Sequence, residues 1–188
     1  MIAHRVNVTH AIESMRYIVE VDDVTLQGSD RTLLLALLDT RPEPGFSDEL
    51  TTVGQLHALS PNGWSADLTT VIAVRDDLVR ILLGPREGAS EALSDLGRRL
   101  GLTLAFGANG GVSLRLIEAG SSAPLLEPVV AAAIELWSAG DLDKLRVCRS
   151  STCIVPFVDT SPRGHREFCS PRCATRERVH RHRAAARR

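Results

Sequence analysis

Four cysteines, Cys148, Cys153, Cys169 and Cys173, fall within 26 residues of a 188-residue chain that has no others. Their spacing is C-x4-C, a 15-residue gap, then C-x3-C. Two short pairs joined by a hairpin-length connection are what a tetrahedral four-thiolate zinc site requires. Each short loop curls two thiolates onto one ion, and the gap lets the two pairs meet. Disulfides, an unliganded buried cluster and a redox-active or catalytic cysteine are the competing readings. The segment has too few apolar residues to bury free thiols without metal, and disulfides need an oxidising compartment. One structural zinc is therefore the expected cofactor, held by all four cysteines. His165, His180 and His182 are alternative ligands, but four thiolates already complete a coordination sphere.

The residues between the pairs must position them. Ile154–Val158 is expected as a strand, Asp159–Gly164 as a turn and His165–Phe168 as the returning strand. Ser170-Pro171 has the form of an N-cap followed by a first helical residue, placing Cys169 before a helix and Cys173 in its first turn. There the helix dipole and free amides favour a thiolate. A knuckle, a hairpin and a helix carrying the second pair form a treble-clef-like finger.

The formal net charge of −1 would ordinarily argue against a phosphate-bearing partner. It is a cancellation: residues 1–145 hold 11 basic and 20 acidic side chains, a net of −9, and residues 146–188 hold 11 and 3, a net of +8. On a helix from Ser170 onward, Arg172, Arg176, Val179, Arg183 and Arg187 share a sector of about 80°, with His180 beside it. Arg178, Arg181 and Arg188 lie on other faces. Such arginines suit DNA phosphates and, in a major groove, guanine edges. Docking on the acidic first segment, a protein partner and a solvated tail are the alternatives.

The first segment is expected to fold on its own core. Ser65–Leu83 has amphipathic helical spacing with Ser65 as N-cap, closed by Gly84-Pro85; Ala89–Leu100 and a helix from Ser122 to Gly140, with Pro124 in its first turn, follow the same logic. Leu102–Phe106 and Val112–Ile117 alternate as a hairpin around Ala108–Gly111, and Tyr17–Val21 with Val24–Leu26 is a further strand pair. Pro42–Gly45 and Ser60–Gly63 are loops by composition. Met1–Asp23 lacks the apolar core of a secretory signal. The longest apolar runs, Leu33–Leu38 and Val129–Ile134, are far shorter than the ~20 residues of a membrane span. A cytoplasmic protein with no membrane partner is expected. No glycine-rich phosphate loop, GxSxG or His-rich metal pattern is present, and His57 stands alone in a helix candidate, so catalysis is not expected.

Arg146-Val147-Cys148, the C-x4-C pair, Phe157, Asp159, Arg166–Cys169 and Cys173-Ala174-Thr175-Arg176 before a basic helix resemble the CGNR zinc-finger family. Of the naming motif, Cys173 and Arg176 are kept. Leu34–Pro42 resembles a stretch of the ABATE domain that precedes this finger, with Ala36 and Asp39 at altered positions. The resemblance implies a bacterial stress-induced transcription regulator. It assigns zinc to Cys148, Cys153, Cys169 and Cys173, and DNA contact to Arg176 and its neighbours Arg172, His180, Arg183 and Arg187. The expected fold is α+β: a helix-rich ABATE-like alpha/beta domain over residues 1–144 and a treble-clef-like finger over 145–188. Its expected partners are DNA, a second copy of the chain and a small-molecule signal on the first domain. The alternative is a zinc-stabilised protein-interaction module that binds no nucleic acid.

Overall fold

The computed structural model of the chain describes residues 26–43, 45–60 and 65–186. The expected Tyr17–Val21 strand, the Pro61–Gly63 stretch and Arg187 lie outside them. Helix α1, Arg31–Asp39, opens where the Asp30 carboxylate accepts from the Leu33 amide at 2.9 Å, and it buries Leu33, Leu34, Leu37 and Leu38. Helix α2, Val53–Leu59, starts with a capping box: Thr52 accepts from the Gln55 amide, and the Gln55 side chain accepts from the Thr52 amide. Helix α3, Leu68–Leu83, is capped by Asp67, two residues after the expected Ser65, because the Asp67 carboxylate accepts from the Thr70 amide at 2.7 Å. It stops at Gly84, where a Cβ would lie 2.2 Å from the Arg80 carbonyl oxygen.

Helix α4, Ala89–Arg99, leads through Gly101, at a φ of 61°, into strands β1, Leu102–Phe106, and β2, Val112–Leu116. They pair antiparallel with Leu104 opposite Leu114. The shared apolar face divides between them: Leu114 and Leu116 are buried, whereas Leu104 and Phe106 are exposed. The reason is position, since the helix over Ala123–Ser138 packs on β2 and β1 is left at the margin.

A 3-10 turn, Ile117–Ser122, precedes α5, Ala123–Ser138, which is the centre of the core and buries Leu125, Leu126, Val129, Val130, Ala131, Ala132, Ala133 and Leu136. Its Glu135 carboxylate accepts from the Leu26 amide at 2.7 Å and the Ser29 hydroxyl at 2.8 Å, tying the start of the described chain to the core. Ile117–Ser138 is, by length and composition, an apolar stretch that could cross a membrane, which corrects the expectation that none approaches that length. It is broken at Gly120, with φ 53° and ψ −130°, and its apolar face is spent on the protein's own core.

A second 3-10 turn, Asp141–Lys144, gives way to β3, Leu145–Val147, and later β4, Pro156–Val158, then α6, Pro171–Ala185. Here the structure differs from expectation. The short strand around Phe157 pairs with Leu145–Val147, not with His165–Phe168, in the register Leu145 to Val158 and Val147 to Pro156. The first cysteine knuckle is the connection, and the Cys148 amide extends the ladder to the Val155 carbonyl at 3.0 Å. Residues 165–168 form no strand; the Glu167 carbonyl accepts from the Arg149 amide at 3.0 Å. Leu145 and Val158 pack in the large core, whereas Phe157 faces the cysteine cluster.

Candidate metal centre and basic surface

The β3–β4 connection delivers Cys148 and Cys153; the N-terminus of α6 delivers Cys169 and Cys173. Ser170 caps α6, its hydroxyl accepting from the Cys173 amide at 3.3 Å, and Pro171 occupies the first turn, as the Ser-Pro pair implied. The four Sγ atoms all lie within 4.8 Å of one another. Cys153 Sγ is 3.8 Å and Cys173 Sγ 3.7 Å from Cys169 Sγ. Four sulfurs about 2.3 Å from a tetrahedral ion would be about 3.8 Å apart, so the donor set fits zinc in chemistry and size. No histidine belongs to this cluster among the described residues, and His165, His180 and His182 are exposed.

Two of the thiols, Cys153 and Cys169, are held against their own ionisation. Burial, reinforced by the neighbouring thiols, pushes Cys169 up to about 12, and burial also raises Cys153. The Ser170 hydroxyl lowers Cys173, consistent with its place in the first helical turn. A bound cation supplies the charge that makes four thiolates compatible, so loading is coupled to proton release.

Asp159 organises the chain between the pairs. Its fully buried carboxylate accepts from the Ser161 hydroxyl at 2.6 Å, the Ser161 amide at 2.9 Å and the Arg166 amide at 2.8 Å, and Arg146 Nε stands 3.7 Å away. The Ser161 hydroxyl, the backbone amides and Arg146 hold this carboxyl down at about 2. Arg166 in turn donates to the Phe168 carbonyl at 2.9 Å and the Cys169 carbonyl at 2.6 Å, and lies 5.5 Å over the Phe157 ring. Side-chain donors thus fix the segment that a returning strand was expected to fix.

Sequence reasoning missed Arg41. Although only 2% exposed, it donates to the Leu38 carbonyl and across to the Ile154 carbonyl beside Cys153, each at 2.9 Å, and pairs with Glu43 at 3.0 Å. Only a fold that brings α1 against the knuckle gives this arginine its role, and no local pattern announces it.

Helix α6 buries Cys173 alone, and every side chain from Arg178 to Ala186 is exposed. The Glu177 carboxylate accepts from the Ser151 amide and hydroxyl at 3.1 Å, and Arg176 donates to the Thr152 hydroxyl at 3.1 Å. Arg172, Arg176, His180 and Arg183 are all solvent-facing.

Residues 144–186 match the family model of the CGNR zinc finger. No curated protein matches the chain significantly. The matched segment and the clustered thiols define a zinc-finger unit with four cysteines positioned to bind one metal ion.

Proposed function

We propose that this protein is a transcription regulator that binds DNA through the finger and α6, and that residues 1–144 form an ABATE-like domain that senses a signal or dimerises. The observation that carries the reading is the projection of α6 from the cysteine cluster with Arg172, Arg176, His180 and Arg183 in solvent. A helix that buries one residue and exposes so many cations is suited to a polyanion. The finger is read as treble-clef-like, with zinc in a structural role: four thiolates leave no open coordination position for catalysis. The protein acts by binding, in the cytoplasm.

The test is fluorescence anisotropy of the zinc-loaded chain with duplex DNA across a salt series. Binding should weaken steeply with salt, and Arg176→Ala/Arg183→Ala should flatten that dependence by about two contacts. Absence of binding at low salt overturns the reading. A zinc-stabilised module for a protein partner is the second reading, favoured by Val179, an apolar side chain 43% exposed at one edge of the cationic sector. Under it, removal of residues 174–188 abolishes a protein interaction and nucleic acid has no effect.

A further inference from the structure

The arginines that helical geometry sets away from the cationic sector face something specific. At about 100° per residue, Arg181 and Arg178 lie about 180° and 240° around α6 from Arg172. With Phe168 and Ala174 they line a cleft of about 240 Å³ whose remaining wall is Glu167. Glu167 also borders a second cleft, of about 370 Å³, lined by Arg146, Arg149, His165 and Arg166. The two clefts share this one residue, so a strip runs from the segment before the knuckle to α6 with five arginines and a single acid in its walls.

The five arginines divide by duty. Arg146 donates to the Gly164 carbonyl at 2.7 Å, and Arg166 to two carbonyls, so both are walls. Arg149 reaches out from the knuckle, 72% exposed, with Glu167 as its partner at 2.7 Å. Arg181 has a 3.6 Å contact to Glu177. Among the described residues, the side chains of His165 and Arg178 have no hydrogen-bond or ion-pair partner, and both are exposed. Donors spread along a strip suit a chain of anions better than one compact ion, and guanidinium groups match phosphate oxygens in charge and geometry.

We infer that this strip, bounded by Arg149, His165, Arg178 and Arg181, is a second phosphodiester-binding track, on the side of α6 opposite the Arg172–Arg183 sector. The inference rests on the DNA-binding reading above. The finger then grips one backbone with each side of α6, and Glu167 is the carboxylate that DNA displaces from Arg149.

Salt-titrated binding of duplex DNA to the full zinc-loaded chain tests it, with zinc content and circular dichroism checked for every variant. Arg149→Ala/Arg178→Ala should lower the slope of log K against log salt by about 2. Glu167→Gln should act in the opposite direction, tightening binding several-fold and steepening the slope by up to about 1, an outcome that damaged folding would not produce. If the wild type binds and both variants keep its affinity and slope within error, the track is overturned and the DNA reading stands. If the wild type does not bind, both are overturned.

Discussion

Arg41, two residues past the end of α1, donates its Nη2 hydrogen bond to the carbonyl of Ile154, 2.9 Å away and 113 residues later in the chain. The bond joins the end of α1, whose leucines lie in the large core, to the backbone beside a zinc-ligand candidate, and its donor is buried. Replacing Arg41 with Met keeps the stem and removes the guanidinium, leaving the Leu38 and Ile154 carbonyls without their donor. The expected cost is about 2 kcal/mol, measurable as a lowered urea midpoint. A midpoint unchanged from wild type would show that water replaces the bridge at no cost.

Removing the metal should act unevenly. Among the described residues, Phe157, Phe168 and the cysteines themselves make up the apolar cluster around the thiols, too little apolar material to hold that end together. Elemental analysis should return one zinc per chain. Chelation should then release protons and expose the amides of residues 148–176 to hydrogen exchange, while α3 and α5 stay protected. Uniform loss of protection along the chain would contradict a metal-dependent segment on a self-supporting core.

Acid should weaken the packing of α3 through one ion pair. Arg75, 1% exposed, donates from Nη1 and Nη2 to the two carboxylate oxygens of Asp48 at 2.6 and 2.8 Å. The Arg75 hydrogen bond holds Asp48 below the ordinary carboxylate range, so its contribution is complete above about pH 4 and is lost as pH falls below that value. Asp48→Asn leaves the buried guanidinium only the half-exposed Asp76 carboxylate, at 2.9 Å, and should cost about 2 kcal/mol at neutral pH. The gap to wild type, followed by denaturant unfolding, should narrow as pH drops from 4 toward 2. Asp159 has the same sign, with its contribution lost as pH falls through about 2. Asp159→Asn should speed exchange of the Ser161 and Arg166 amides at neutral pH.

Elements whose causes are local were readable in advance. Ser170-Pro171 before Cys173 announces a helix start because cap, proline and thiol lie within one turn. Helix α4 and the β1–β2 hairpin carry their own periodicity and glycines. Helix α1 was not readable by pattern, since the short unbroken apolar run Leu33–Leu38 fits a buried strand as well as a helix. Strand β3 is three residues long and exists because β4 lies beside it. His165–Phe168 has the composition of a strand, yet Asp159 and Arg166 take over the task of holding the chain there. The metal ligands were legible because cysteine chemistry is scarce and spacing-dependent; Arg41, Arg149 and Arg178 were not, because an arginine's duty depends on what the fold sets opposite it.

The β3–β4 ladder has one foot in each cluster: Leu145 and Val158 at one end belong to the large core, and Phe157 and Cys148 at the other belong to the thiols. An ion held by four buried or half-buried sulfurs escapes when one ligand swings away, and Cys148 swings only if this ladder parts. Release through that one ligand is therefore coupled to a strand pair whose far end is anchored in the large core. A cobalt-substituted protein would convert that dependence into colour, its thiolate absorption fading at a rate that reports how firmly the distant helices hold.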